Sequence, residues 1–424
     1  MRVLIVNTSE RTGGAAVAAH RLMDALNNHG VKARMLVRDK ETDSLTVIGL
    51  QGKWRQQWCF LWERFVIFLH LHFKRQRLFE IDIANAGTDI TKLREFREAD
   101  VIHLHWINQG MLSLSVISKI LRSGKPVVWT MHDLWPATAI CHYARGCKNY
   151  RTSCSHCPLL PGNGSANDLA SRVWRRKQRM LDGYSISFVA CSQWLCGEAR
   201  ASALLKGQNV KSIPNAIDTR VYCPSNKQEA RRAAGLPTDC KVILFVSQRV
   251  TDERKGMDYL IEAVSQLSSQ YTDMRQQVVI AILGGHSEVL AERLSLPVHS
   301  LGYVSDEQQI VNIYRSADVF VTPSLEDNLP NTIMEAMACG VPCVGFKVGG
   351  IPEEIDHQKN GYVAQYRDAA DLAKGIRWIL YESDYDTLSR SAVTKVAHNY
   401  SQQSVALRYT ELYNEAIAQK HYKL

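Results

Sequence analysis

Residues 326–340 read EDNLPNTIMEAMACG and hold two carboxylates, Asp327 and Glu335, with seven residues between them. A helix is expected to start around Leu329 or Pro330. A carboxylate at a helix start can be a cap, worth ~1 kcal/mol, and needs no ligand. Glu335 lies beyond the first turn, where the helix dipole no longer accounts for it. Its neighbours Ile333, Met334, Ala336 and Met337 are apolar, and a carboxylate buried among them is costly without a partner. The paired hydroxyls of a sugar or ribose would supply one. The amides of Asn328, Leu329 and Asn331 are placed to face a phosphate, whereas Pro330 has no N–H to give.

Two further loops carry phosphate chemistry. In QRVTDERKG, residues 248–256, Arg249 and Lys255 follow an apolar run. An Arg fork and a Lys point charge suit a diphosphate, although a solvated loop would carry the same charges. In SERTGG, residues 9–14, Gly13 and Gly14 let the backbone approach a ligand at the start of a helix. The loop is not G-x-G-x-x-G, so the dinucleotide fingerprint is absent, and a plain tight turn also fits.

A cysteine cluster follows a different logic. The segment CHYARGCKNYRTSCSHCP, residues 141–158, holds Cys141, Cys147, Cys154 and Cys157. Four thiolates so close suit a structural, tetrahedral zinc site with no open position for catalysis. His142 and His156 are candidate substitutes for one ligand; free thiols or a redox pair are the other reading. In VIHLHW, His103 and His105 alternate on one strand and share a face. They are either packed strand histidines or ligands for a substrate, and Trp106 beside them suits stacking on an acceptor sugar.

These residues need strand ends to hold them. VLIVN, then a loop, then AAVAAHRLMDALNNHG, then VKARMLVRD reads as strand, helix, strand, which implies a parallel sheet. The alternation continues through ADVIHLHW, PVVWTMHD and SISFVACSQW. It restarts at KVILFVSQR and runs through QVVIAILGG, DVFVTPS and PCVGF. The fold class is α/β, with two Rossmann-like domains facing across a cleft. The expected divisions are 1–210, an acceptor domain with the Cys-rich insertion at 141–158; 211–395, a donor domain; and 396–424, a helix crossing back to the first domain. In open α/β sheets ligands bind outside the carboxyl ends of the strands, where all three loops above fall. Residues 53–79, KWRQQWCFLWERFVIFLHLHFKRQRLF, break the rhythm. They are aromatic and apolar with basic ends, and read either as packed helices or as a surface helix that meets a membrane.

Composition excludes several classes. With 46% hydrophobic and 22% charged residues over 424 positions, the chain suits a soluble protein of at least two domains. No apolar run is long enough to span a membrane, and the opening MRVLIVNTSE is not a signal peptide. A cytoplasmic protein is expected, acting at the inner face of the membrane if 53–79 meets it. Eleven cysteines without an export signal argue against a disulfide framework. The net charge of +9 is dispersed, which favours polyanionic small ligands or an anionic surface over nucleic acid.

Several motifs in order complete the reading. EDNLPNTIMEAMACGVPCVGFKVGGIPEEI, SQRVTDERKGMDYLIEA, LGYVSDEQQIVNIYRSADVFVTPS and IPNAIDTRVYCP together resemble the nucleotide-sugar glycosyltransferases of the GT-B fold, in particular the retaining family four. The resemblance covers most of the chain. It implies that Glu335 holds the donor ribose, that Asp327 meets the donor sugar, and that Arg249 and Lys255 neutralise the leaving diphosphate in place of a metal. It also implies that Gly14 lets its loop close on the phosphates, that His132 in TMHD meets the donor sugar, and that the base lies near Gly302, Tyr303 and Val304. The family usually has Glu at the first acid position. Here Asp327 stands there with Glu326 before it, and spacing favours Asp327. The expected activity is transfer of a sugar from a nucleoside-diphosphate sugar to a glycan or lipid-linked glycan in bacterial surface polysaccharide synthesis, with no catalytic cofactor. The alternatives are a nucleotide-sugar epimerase on the same fold and a zinc-stabilised nucleic-acid-binding protein.

Overall fold

The computed structural model describes residues 1–272, 274–287 and 292–421. The chain divides into two compact units, one of Met1–Ala216 with Val405–Leu424, the other of Ile217–Ser404. The first boundary lies six residues beyond the expected 210. The return segment begins at Val405 rather than 396, because Val396 and Tyr400 lie in the core of the second unit. The Ile217 amide also donates to the Tyr400 carbonyl at 2.8 Å.

The first unit is built on β1 (Arg2–Ser9), β2 (Lys32–Asp39), β3 (Val47–Gly49), β4 (Val101–Leu104), β5 (Val127–Met131), β6 (Ser187–Ala190) and β7 (Asn209–Ser212). They form one sheet in the order β3-β2-β1-β4-β5-β6-β7. Adjacent strands are parallel, with Val3 opposite Val101 and Ile102 opposite Val127. Val3 to Asn7 are all buried, as both faces of a doubly wound sheet require. Helix α1 (Gly14–Asn28) follows β1 and buries Ala18, Ala19, Leu22 and Leu26. Gly30 ends it at φ +85°, a conformation glycine adopts without strain. Helix α2 (Lys53–His70) covers only part of the aromatic segment, and the chain turns at His72 and Phe73, both at positive φ. Late in the chain, Tyr409 and Tyr413 of the helix Gln402–His421 hydrogen-bond with Thr130 and His103.

The second unit is built on β8 (Lys241–Arg249), β9 (Val278–Gly285), β10 (Val298–Gly302), β11 (Val319–Thr322), β12 (Cys343–Phe346) and β13 (Gly361–Ala364). Their order is β10-β9-β8-β11-β12-β13, again parallel. Each sheet therefore reverses its winding once, between β1 and β4 in the first unit and between β8 and β11 in the second. Loops leave such a pair in opposite directions and open a crevice at the strand ends. The topology alone selects the loops after β1, β4, β8 and β11.

Candidate active site

In the second unit, the loops after β8 and β11 are locked together by backbone. The Leu325 amide donates to the Arg254 carbonyl at 2.8 Å. Gly256 sits at φ +69°, and a Cβ there would lie 1.9 Å from the Pro323 carbonyl oxygen, so only glycine allows this approach. The contact sets Lys255 Nζ 2.6 Å from Asp327 Oδ2. Arg254, which sequence reasoning passed over, donates to the Glu326 carbonyl at 3.2 Å and pairs with Asp252 at 3.2 Å. Its place directly before Lys255 in the turn was the available signal. Burial pushes the Asp327 carboxyl up, but Lys255 and Arg254 more than offset it and hold it below the usual range. Asp327 is thus a buried anion against a cation that keeps 23% of its side chain exposed. Arg249, at the end of β8, is exposed.

The helix after Asp327 runs Asn331–Ala338 with Pro330 as its cap, one or two residues later than expected. Asn328, Leu329 and Glu335 are buried, and Glu326 and Asn331 are partly so. Glu335 has a protein partner: the Tyr314 hydroxyl donates to its Oε2 at 2.7 Å. Tyr303 is exposed and Val304 packs against the core beside Gly302, which ends β10 at φ +62°. Glu354 is fully buried, and neither of its carboxylate oxygens has a hydrogen-bond partner. Burial first, and the nearby Asp327 second, push its pKa well up, which favours the neutral acid.

In the first unit the strand ends hold a closed polar mesh. The Thr8 hydroxyl bonds the carbonyls of Trp106 and Asn108, each at 3.0 Å, and ties the loop after β4 to β1. Gly13 caps α1 at φ +93°, and Gly14 is the first helical residue. Glu10 below them accepts from the Glu41 amide at 2.6 Å and the Thr42 amide at 2.9 Å. After β5, His132 Nε2 and His105 Nδ1 share a hydrogen bond at 2.9 Å. Burial lowers His132 to about 4 and His103 to about 3, and takes His105 well below its usual value, so all three rings are neutral at pH 7. His103 and His105 do share a face, with ring centroids 4.3 Å apart. His105 is only 3% exposed and backs His132, and its Nε2 has no partner.

Asp133, also missed in the sequence, is the centre of the mesh. Its Oδ2 accepts from Trp106 Nε1 at 3.0 Å and from His142 Nδ1 at 2.7 Å, and its Oδ1 accepts from the Trp135 amide at 2.9 Å. His142 Nε2 donates to Asp82 Oδ2 at 2.6 Å, and Asp82 pairs with Arg64 of α2. Burial alone would discharge His142, but Asp133 and Asp82 raise it to about 10, so it is an imidazolium between two carboxylates. The indole of Trp106 lies over that imidazole with centroids 5.6 Å apart.

Comparison with known proteins agrees with this layout. The model of the family described as Glycosyltransferase Family 4 matches residues 12–221, and that described as Glycosyl transferases group 1 matches residues 240–382. The chain is a family-four glycosyltransferase. It is 25% identical over 337 residues to D-inositol 3-phosphate glycosyltransferase of Corynebacterium jeikeium, covering 74% of this chain and 72% of that protein. It is 26% identical over 349 residues to the protein of the same name from Acidothermus cellulolyticus, covering 77% and 70%. Among solved structures, sucrose-phosphate synthase from Thermosynechococcus elongatus matches with a TM-score of 0.67 at 19% identity, covering 99% of both chains. Anabaena HepE in complex with UDP-glucose matches with a TM-score of 0.61 at 17% identity, covering both chains completely. The two parallel-sheet units thus have the GT-B fold.

Among the described residues the structure gives the zinc reading no support. Cys141, Cys147, Cys154 and Cys157 do line one small cavity, together with apolar neighbours such as Ile140, Ala144 and Tyr150. All four are free thiols. Burial pushes Cys141 and Cys154 up to about 12 and Cys157 to about 11. Among the described residues, no three His, Cys, Asp or Glu side chains are gathered to hold a metal. Of the two substitute ligands, His142 is held by Asp82 and Asp133, and His156 is exposed.

Proposed function

We propose that this glycosyltransferase moves a sugar, with retention of configuration, from a nucleoside-diphosphate sugar to a glycan or lipid-linked glycan, in bacterial surface polysaccharide synthesis and at the cytoplasmic side. The observation that carries the reading is the Lys255–Asp327 pair at the carboxyl ends of β8 and β11, with Arg254 bracing the same loop. A partly exposed ammonium held by a buried carboxylate is ready to face an incoming anion. Stabilising charge that develops on a leaving diphosphate is the largest contribution a protein makes to such a transfer. Lys255 and the exposed Arg249 would supply it without a metal. Support for the donor class comes from Anabaena HepE, whose structures hold UDP and UDP-glucose. Support for a surface-polysaccharide role comes from the structural neighbour WaaG, described as involved in lipopolysaccharide biosynthesis, with a TM-score of 0.61.

The remaining roles follow from chemistry and resemblance. Glu335, with one oxygen fixed by Tyr314, would hold the ribose hydroxyls. Asp327, favoured over Glu326, would meet the donor sugar. Asn328, Leu329 and Asn331 would present amides to the phosphates, and Tyr303 and Val304 would border the base. In the first unit, Gly13 and Gly14 would leave room for phosphate. His132, neutral and backed by His105, would donate or accept one hydrogen bond to a sugar hydroxyl. Trp106 would offer its ring to an acceptor sugar. The test is turnover of UDP-, GDP- and ADP-sugars with and without a lipid-linked glycan extract, read by nucleoside diphosphate release and by the anomeric configuration of the product. One donor consumed only with acceptor, with retention and without sensitivity to chelator, is expected. Donor converted to its epimer without acceptor would favour the epimerase reading. Activity lost to chelator and restored by magnesium would contradict the metal-free assignment.

A further inference from the structure

Helix α2 is amphipathic in the wrong sense for a soluble protein. A surface helix normally buries its apolar face and shows its charges to water. Here Glu63 and Arg64 are buried while Trp54, Trp58, Leu61, Trp62, Phe65 and Leu69 are exposed. Of the thirteen large apolar side chains exposed among the described residues, eight lie between Trp54 and Phe79, so the exposure belongs to this segment and not to the surface at large. At 3.6 residues per turn the six helical ones fall within an arc of about 100° and a length of roughly 22 Å. Trp58 stacks on Trp62 at 6.3 Å, and Trp62 meets Phe65 at 6.1 Å, which makes one continuous aromatic ridge.

The buried face explains why the ridge points outward. Glu63 accepts from the amides of Ile83 at 2.9 Å, Ala84 at 2.6 Å and Gly110 at 2.8 Å. Arg64 pairs with Asp82 and donates to the Ile81 carbonyl at 3.3 Å. A Cβ at Gly110 would lie 2.6 Å from the Phe60 amide, so α2 packs against backbone there. The helix is pinned by these polar anchors and cannot roll its aromatic ridge inward.

We propose that this ridge docks the protein onto an anionic lipid surface, with α2 lying in the headgroup region. Charge complementarity selects the occupant. Lys53 and Arg55 flank the ridge on its two sides, and Lys74 and Arg75 follow it, all exposed. Between 51 and 79 the one acidic residue is Glu63, which is buried, so the exposed rim is wholly cationic. Trp and Phe above a rim of Lys and Arg is the pattern of a helix that rests in a membrane interface. A second copy placed ridge to ridge would set the two cationic rims against each other. No helix among the described residues is long and apolar enough to cross a membrane, so the contact is peripheral. The proposal rests on α2 alone and does not depend on the donor assignment.

The test is flotation of the full chain with vesicles of phosphatidylcholine, with and without phosphatidylglycerol, alongside the variant Trp58→Ser, Trp62→Ser, Phe65→Ser and the variant Lys53→Glu, Arg55→Glu. The wild type is expected to float with the anionic vesicles and its tryptophan emission to shift blue. The aromatic variant should bind at least tenfold less lipid, and the charge variant should lose the preference for anionic vesicles. Both should keep the wild-type melting midpoint, since the replaced side chains are exposed. Absence of flotation, or flotation undiminished in the aromatic variant, would overturn the proposal. Equal binding to neutral vesicles would overturn the anionic choice. A wild-type dimer in light scattering, made monomeric by the aromatic variant without lipid binding, would assign the ridge to a second copy instead.

Discussion

The two strand-end clusters use the same residue types in opposite ways. In the first unit Asp133 and Asp82 enclose His142, with Arg64 behind, and every charge is balanced by another buried side chain. In the second unit Asp327 is buried, but its cation Lys255 is partly exposed, and Arg249 is exposed. Charge balanced inside a protein fixes structure and is strongly destabilising to disturb. Charge balanced by a group that still reaches water is available to a ligand. On the proposed function, the first cluster would be a scaffold behind His132 and Trp106, and the second would face the anionic donor.

Removing His142 should give the largest stability change. His142→Ala leaves Asp82 and Asp133 facing each other without their shared cation, which should cost about 3–5 kcal/mol and lower the melting midpoint of the first unit by on the order of 10 °C. The pH dependence has a definite sign. His142 is raised from its usual value to about 10, so its stabilisation is fully present below the usual histidine range and is lost as pH rises through about 10. Thermal melts from pH 6 to 10.5 should show that loss in the wild type and not in the variant. A variant within 1 kcal/mol of wild type would break the contrast, because the mesh would then be dispensable.

A smaller effect of opposite sign is expected at Glu354, a buried carboxyl in the second unit that fits neither pattern. It is buried with no partner for either oxygen, and its pKa is pushed up. Its contribution is therefore greatest below the ordinary glutamate range and falls as pH rises from there toward the raised value. Glu354→Leu removes this, and should stabilise the second unit by about 1–2 kcal/mol at pH 8 and flatten the pH dependence in urea unfolding. Destabilisation by the change would reveal a partner and make Glu354 part of a working cluster.

Much of this was legible in the sequence, for reasons specific to each part. Buried parallel strands such as VLIVN and VILFV are continuous apolar runs, so both sheets and their order of appearance could be read directly. The loops carrying Lys255, Asp327 and Glu335 were found because they follow those runs. The expected division at 210 lies six residues from the boundary at 216, but Val396 and Tyr400 belong to the second core and not to the returning helix, since helical periodicity does not say which core a helix meets. The ion mesh of Arg64, Asp82, Asp133 and His142 was invisible because its members lie up to 78 positions apart, in segments that no one motif joins. The cysteines were legible as a cluster: short spacing brings the thiols to one cavity, but among the described residues no metal cage is formed. The aromatic segment 53–79 left two readings open, because composition does not tell which face of a helix is anchored. Glu63 and Arg64 decide that.

The most direct test of the contrast is calorimetric titration of UDP, GDP, ADP and CMP into the wild type and Lys255→Gln, with a melting curve of each protein. One nucleoside diphosphate should bind the wild type, and the variant should bind it at least tenfold more weakly, about 1.4 kcal/mol. Its melting midpoint should move far less than that of His142→Ala, since Lys255 is partly exposed. Equal affinity in the two proteins would contradict the account, and would make Lys255–Asp327 a structural pair like those of the first unit.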